Sequence, residues 1–164
     1  MDLYDWVVFG HIMAVILLFA AHGVSAYAMF RVRSEKDRAR LSAILDMSSG
    51  SLMVAGIALI VVFVLGIAAA IMGDHFSKAW PWVAIVLLVV ITGVMTPLAG
   101  TPMTRVRKAL GMPVQGDKKT DPPRVPGTDE EVAAAQAALR PEISAIIGVA
   151  GVLILSWLMR AKPF

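Results

Sequence analysis

Four long apolar runs constrain the fold of this chain more than any other feature. They cover residues 4–30, 49–72, 80–98 and 143–159, and the last is near the lower limit of about 17 residues for a membrane span. Runs of this length with few charges are typical of helices that cross a bilayer. The sequence therefore predicts an all-α polytopic membrane protein, a bundle of four transmembrane helices that forms a single membrane domain over residues 1–164.

The composition favours the same class of protein. Hydrophobic residues make up 58% of the chain and charged residues 16%, whereas soluble domains contain roughly 45–50% and about 25%. The chain has no cysteine, which excludes disulfides, thiolate metal sites, iron–sulfur clusters and covalently attached c-type haem. The N-terminus is acidic, with Asp2 and Asp5, and the first apolar run is long enough to span, so we do not expect a cleaved signal peptide.

Most of the 15 basic residues lie in the two segments between spans one and two and between spans three and four. Basic residues at the ends of spans mark the cytoplasmic side of a membrane. We therefore expect both termini outside, and we expect no nucleic-acid partner because topology accounts for the basic charge. The basic residues of the two segments are Arg31, Arg33, Lys36, Arg38, Arg40, Arg105, Arg107, Lys108, Lys118, Lys119, Arg124 and Arg140.

The second basic segment, residues 101–141, is predicted to carry short helices. The first would have Thr101 as its N-cap, Pro102 at its first helical position and Gly111 as its stop. Such a helix has one apolar stripe and a basic opposite side, which suits a helix lying on an anionic leaflet. The stripe consists of Met103, Val106 and Leu110.

The rest of this segment begins with a linker rich in proline and glycine, residues 112–127. Thr128 and Glu131 then form the pattern of a capping box at the start of a second short helix. Pro141 either kinks that helix into span four or starts the span as its first residue. About 40 residues are too few for an independent catalytic domain.

Two of the three histidines, His11 and His22, lie within the first apolar run. An α-helix rotates by about 100° per residue, so two positions eleven residues apart point in directions that differ by only about 20°. The two histidine side chains therefore share one helix face. Ionisable groups inside a membrane usually face the interior of the bundle or a wet cavity. We expect this face to point inward, toward partners on other helices.

The first interpretation of the histidines is a b-type haem site, in which neutral imidazoles from facing helices ligate the iron. His11 and His22 are about 16 Å apart along the helix axis and cannot share one iron. His11 would pair with His75, in the short loop before span three, while His22 would need another kind of second ligand. The candidate haem ligands are therefore His11, His22 and His75.

Two other interpretations remain open. Met13 near His11, and Met72 close to His75, provide soft ligands for a copper site. Alternatively, the histidines are packing residues that form hydrogen bonds to a serine, to a backbone carbonyl at a glycine, or to another subunit. The packing interpretation is the main expectation.

The opening stretch "MDLYDWVVFGHIMAVILLFAAHG" combines a short acidic N-terminus with a histidine early in the first span. It resembles an uncharacterised bacterial family of predicted four-span membrane proteins related to the membrane domain of copper-resistance protein D. First spans there often follow the pattern His-x6-Trp-x-Gly-Gly, and His11 matches its histidine, whereas Leu18, Ala20 and Ala21 occupy the other positions. The resemblance implies a helical bundle in the bacterial cytoplasmic membrane and no established activity.

The sequence contains no Gly-rich phosphate loop, hydrolase elbow or His-Glu-x-x-His motif. Spans two and four are rich in glycine, alanine and serine, which mark faces where helices pack closely in lipid. We therefore expect a small non-catalytic membrane protein, an accessory or structural subunit of a larger or oligomeric membrane complex. Its expected partners are the bilayer and other membrane subunits or a second copy. The alternatives are a haem-binding redox protein and a copper-related membrane protein.

Overall fold

The computed structural model describes residues 2–118 and 120–163, and this part of the chain is helical with no strand. A 3-10 turn, His75–Ser77, precedes the third helix, and a π-helical segment, Thr96–Gly100, follows it. Lys119, one of the basic residues named above, lies outside the described residues. The helices are α1 (Leu3–Ser34), α2 (Arg38–Met72), α3 (Trp80–Met95), α4 (Thr101–Ala109), α5 (Asp129–Ala137) and α6 (Pro141–Ala161).

Four helical stretches are long and apolar enough to cross a membrane, which confirms the predicted all-α fold and fits a multi-pass bundle. The helices extend beyond the predicted apolar runs, most clearly in α2, which begins at Arg38 rather than near position 49. The first basic segment is therefore helical except for a turn at residues 35–37. The four stretches are Leu3–Ser34, Arg38–Met72, Trp80–Ala109 and Asp129–Ala161.

Polar residues set the starts of several helices. At the start of α1, Asp2 and Asp5 form a capping box, and the Asp37 side chain accepts a hydrogen bond from the Arg40 N–H at the start of α2. The predicted capping box of Thr128 and Glu131 is present at α5. Pro141 is the first residue of α6, so it starts the fourth span and does not kink α5 into it.

The expectation that Thr101 caps a separate helix is wrong. Pro97 has no backbone N–H, which breaks the regular hydrogen-bond ladder, and the chain absorbs this break in the π-helical segment without leaving the helix. Gly100 keeps a right-handed helical conformation and no side chain caps α4. Helix α4 is therefore the continuation of the third membrane helix.

The end of α4 follows the prediction at Gly111, which adopts φ +75°. The N–H of Met112 bonds to the carbonyl of Arg107 at 3.0 Å, and the N–H of Gly111 bonds to the carbonyl of Lys108 at 3.0 Å. This pair of bonds is a Schellman motif, in which a residue without Cβ takes the left-handed position. The chain turns away there into the linker.

The apolar stripe of α4 is buried in protein and does not lie on a leaflet, so that expectation is wrong. The physical reason is that α1 and α2 continue as helices beyond their apolar runs and present apolar residues against which α4 packs. We call the resulting cluster the basic-end core, since it lies among the basic segments. It consists of Met29, Val32, Leu41, Leu45, Met103, Val106, Leu110, Val132 and Leu139.

Polar contacts hold the helices around this core. The Gln136 side chain on α5 donates to the carbonyls of Val32 (2.5 Å) and Glu35 (2.8 Å), which lie at the C-terminal end of α1. Those carbonyls have no partner within the helix, so Gln136 caps α1 from another element. Ion pairs join further segments here: Arg33–Glu142, Arg38–Asp129, Arg107–Asp46 and Arg124–Asp117.

The four membrane helices form two pairs. Helix α1 packs along the length of α2, with Ser25 and Ser51 hydroxyls 2.7 Å apart, and α3 packs on α6, where Ile91 lies against Gly151. Contacts between the two pairs are few within the apolar parts of the helices. The pairs therefore leave a cleft between them, while the basic-end core and its ion pairs join them at one end.

Replacing Gly111 by alanine should weaken the end of α4. The left-handed backbone costs roughly 1–2 kcal/mol for a residue with Cβ, and this Cβ would lie 2.9 Å from Pro126 Cγ and 3.0 Å from the Arg124 carbonyl. We expect hydrogen exchange of the α4 amides, measured by mass spectrometry in detergent, to accelerate.

Gly116→Ala is the matched control. Gly116 also has positive φ, but a Cβ there would meet no atom of the described residues within 4 Å. We expect a smaller effect, confined to residues near position 116. Equal exchange in the two variants would contradict a role for close packing at Gly111.

Candidate functional site

The cleft between the helix pairs contains two adjoining cavities. The terminal cavity, of about 250 Å³, lies toward the end where the first residues, the 73–79 turn and the end of α6 meet. The basic-side cavity, of about 360 Å³, lies toward the basic-end core. Most of the lining is apolar, and five residues border both cavities: Leu18, Phe19, Leu88, Val152 and Leu155.

His11 lines the terminal cavity and is fixed by a contact with α2. Its Nδ1 lies 3.0 Å from the carbonyl oxygen of Val62, which can only accept, so Nδ1 donates. The ring lies over Gly66, where a Cβ would come within 3.0 Å of the His11 Cε1. In the neutral imidazole, Nε2 is then an acceptor, and it has no hydrogen-bond partner among the described residues.

His22 lines the basic-side cavity and crosses from one helix pair toward the other. A Cβ at position 148 on α6 would lie only 2.9 Å from the His22 Nε2, so the ring occupies space that a glycine leaves open. Within residues 2–118 and 120–163, neither ring nitrogen of His22 has a hydrogen-bond partner. This histidine therefore contributes a polar group without a partner among the described residues to a mostly apolar part of the cleft.

His75 lies at the mouth of the terminal cavity, in the 3-10 turn. Its Nε2 is 3.4 Å from the Tyr4 hydroxyl and 3.5 Å from the Lys162 Nζ. The ring also contacts that of Trp80, with centroids 5.4 Å apart. Residues from α1, the turn, α3 and the end of α6 thus meet around one imidazole.

Trp80 adds a buried donor to this group. Its side chain is among the lining of the terminal cavity and the residue is 8% exposed, and its indole N–H has no acceptor among the described residues. A buried donor without an acceptor costs free energy. The Lys162 Nζ lies 5.6 Å from the centre of the Trp80 ring. We call Tyr4, His75, Trp80 and Lys162 the terminal polar cluster.

The predicted haem ligands are divided between the two cavities. His11 and His22 border different cavities. His11 and His75 border the same cavity, where His75 contacts Tyr4, whose position on α1 lies about 10 Å along the axis from that of His11.

The two methionines of the copper interpretation, Met13 and Met72, are 47% and 44% exposed, and neither lines the terminal cavity that His11 and His75 border. In the part of the chain that the structure describes, no group of three or more His, Asp or Glu side chains is arranged to hold a metal ion.

Sequence reasoning did not identify the terminal polar cluster. Tyr4 and Trp80 have the positions of interfacial aromatic anchors, and Lys162 that of a flanking charge. Their meeting depends on how four separate segments pack, which spacing along the chain does not reveal. The available signal was that each of these residues lies at the end of a span that is predicted to face the same side of the membrane.

The chain matches no family model, no curated protein and no solved structure. The cleft has the general form of a small-molecule site: a concave, mostly apolar space with a few polar groups at defined places. Those polar groups include His11 and His22 along its length, several serine and threonine side chains, and the terminal polar cluster at one mouth.

The pKa of His75 should rise when Lys162 is replaced by glutamine. Burial lowers this pKa below its ordinary value, and the nearby charges of Lys162 and Lys78 lower it further. The neutral ring is therefore favoured at neutral pH, and protonation requires a lower pH. An NMR titration of the His75 Cε1 proton should give a higher pKa in Lys162→Gln than in the unmodified chain.

The pKa in Lys162→Gln should still lie below the ordinary value, since burial is the larger cause. Lys78→Gln is the comparison, because Lys78 is the weaker of the two charges acting on the ring. An unchanged or lower pKa in Lys162→Gln would show that the ammonium does not act on His75.

Proposed function

We propose that this chain is a small, non-catalytic accessory protein of the membrane that binds an elongated apolar molecule between its two helix pairs. The observation that carries this proposal is the pair of adjoining cavities, about 250 and 360 Å³, which share five apolar lining residues. Together they provide an extended, mostly apolar space between four helices that are long and apolar enough to cross a membrane.

The physical argument concerns what keeps such a cleft open. An empty gap deprives its lining of dispersion contacts, and in lipid there is little hydrophobic drive to close helices onto each other. An apolar molecule in the cleft restores those contacts, and it has no polar groups that would lose hydrogen bonds there. The basic-end core joins the pairs at one end, so the occupant need not hold them together.

The accessory role includes association with other membrane subunits or with a second copy. The outer faces of the helices carry many exposed large apolar side chains, which suit lipid and helix contacts alike. Among the described residues, nothing lies within 4 Å of the position that a Cβ would take at Gly23, Gly50 or Gly93. Small residues with open space around them allow a neighbouring helix to approach closely.

The proposed location is the bacterial cytoplasmic membrane, with the basic end in the cytoplasm and both termini outside. The distribution of Lys and Arg along the chain supports this orientation. The contact of His75 with Tyr4 and Lys162 is consistent with it, since these groups belong to the end opposite the basic-end core.

Filling the cleft should displace its occupant. Leu155 borders both cavities, so Leu155→Trp places an indole where they adjoin. Native mass spectrometry of protein purified in mild detergent should detect a bound apolar molecule on the unmodified chain. We expect the bound fraction to fall at least fivefold in the variant.

Leu153→Trp is the matched control, because Leu153 lies on the same helix and is 64% exposed. It should retain the bound molecule at the level of the unmodified chain. The proposal would be wrong if no apolar molecule accompanied the unmodified protein, or if Leu155→Trp and Leu153→Trp retained it equally.

A second candidate function, a b-type haem protein, is favoured by one observation at His11. A metal-ligating histidine usually donates its second ring N–H to a carbonyl or carboxylate, which orients the ring. The His11 Nδ1 makes such a bond to Val62, and its Nε2 has no partner among the described residues. In this candidate His11 is the first ligand, and His75, which borders the same cavity, is the second.

The haem candidate predicts a specific pattern of absorption spectra. Protein from haem-replete cells would show a Soret band at near-stoichiometric haem, and His11→Leu would abolish it. His22→Leu would retain it, since His22 borders the other cavity. A featureless visible spectrum from folded protein, or loss of the band in His22→Leu alone, would exclude this candidate.

A further inference from the structure

The terminal polar cluster gives the cleft one polar mouth. Two of its members carry donors at the mouth, namely the half-buried Tyr4 hydroxyl and the exposed Lys162 ammonium. We propose that this cluster binds the acidic head group, a carboxylate or a phosphate, of a single-chain amphiphile whose apolar chain lies in the cleft. This inference rests on the proposed function and names the class of molecule that occupies the cleft.

The charge within the terminal polar cluster favours an acidic head group, and the charges that act on His75 from around it are those of Lys78 and, with the opposite sign, Asp74. Within the described residues, no carboxylate lies at ion-pair distance from Lys162. Its Nζ instead lies 3.5 Å from the His75 Nε2 and over the Trp80 ring. The lowered pKa of His75 keeps its ring neutral at neutral pH, so the positive charge of the cluster comes from Lys162.

Trp80 forms part of the wall of this mouth. Its side chain lines the terminal cavity and the residue is 8% exposed, but its indole N–H is fully covered by protein. The polar contacts with the head group are therefore assigned to the Lys162 ammonium and the Tyr4 hydroxyl. Carboxylates and phosphates offer several acceptor oxygens, and hydrogen bonds to charged acceptors are stronger than those to neutral ones.

The length of the cleft matches one acyl chain. From Tyr4, beside the cluster, to Leu18, where the two cavities adjoin, α1 advances about 21 Å. One leaflet of a bilayer has a hydrocarbon depth of about 15 Å. The terminal cavity and the place where it meets the second cavity therefore accommodate a chain of ordinary lipid length.

The test uses fluorescence of Trp80 as the reporter. Trp6, Trp82 and Trp157 are exposed, and changing these three to phenylalanine leaves Trp80 as the single indole. The probe is stearic acid carrying a nitroxide near its carboxyl end, added to the protein in a nonionic detergent. Its methyl ester, which lacks the negative charge, is the second probe. Circular dichroism and gel filtration confirm that each variant is folded.

We expect saturable quenching of Trp80 by the acid, and at least tenfold weaker binding of the ester. Lys162→Gln should weaken binding of the acid about tenfold and leave the ester unchanged. Lys78→Gln, which removes a charge outside the cluster, should bind both probes as the parent does. Displacement of the probe by palmitic acid or by lysophosphatidic acid then shows whether the carboxylate or the phosphate is preferred.

The outcomes separate this inference from the proposed function. Equal binding of acid and ester, or unchanged binding of the acid in Lys162→Gln, would overturn the head-group site and leave an apolar cleft. Absence of saturable quenching by either probe would overturn both proposals.

Discussion

The packing of α4 and α5 on the extended ends of α1 and α2 is the interaction on which the rest of this structure depends. In a bilayer the hydrophobic effect does not distinguish a helix neighbour from a lipid neighbour, so the position of the two helix pairs must be set elsewhere. The basic-end core, with fully buried residues such as Val32, Val106 and Leu139, provides that constraint. Gln136 and the ion pairs around it complete the connection.

Because the two helix pairs are joined at one end, they can separate along the rest of their length, and the cleft lies between them. The two histidines within the membrane helices, His11 and His22, are packed in different ways. His11 stays within its own pair, bonded to Val62 above Gly66, whereas His22 reaches across to Gly148 of the other pair. Each ring lies opposite a glycine, and a Cβ at either place would lie within about 3 Å of the ring as it is now positioned. The first arrangement leaves a fixed ring with one free nitrogen, and the second leaves an unpaired ring.

The sequence was a good guide to the number of membrane helices and to the ends that polar residues define. Long apolar runs, the Thr128–Glu131 capping box, the stop at Gly111 and the start at Pro141 depend on local chemistry, and the structure has each of them. The sequence was a poor guide to whether an apolar helix stripe packs against lipid or against protein. Met103, Val106 and Leu110 have the same periodicity whether they face lipid or protein, and the packing of α1 and α2 made the surroundings protein.

The sequence alone determined that this chain forms four apolar helices with its basic residues grouped in two segments, because hydrophobic length and charge are properties of the residues themselves. It also determined that His11 and His22 share one helix face, since that follows from the helical repeat. Only the tertiary structure decided which groups each histidine meets and that Tyr4, His75, Trp80 and Lys162 converge. Those four residues come from separate segments, and their proximity depends on how the helix pairs pack.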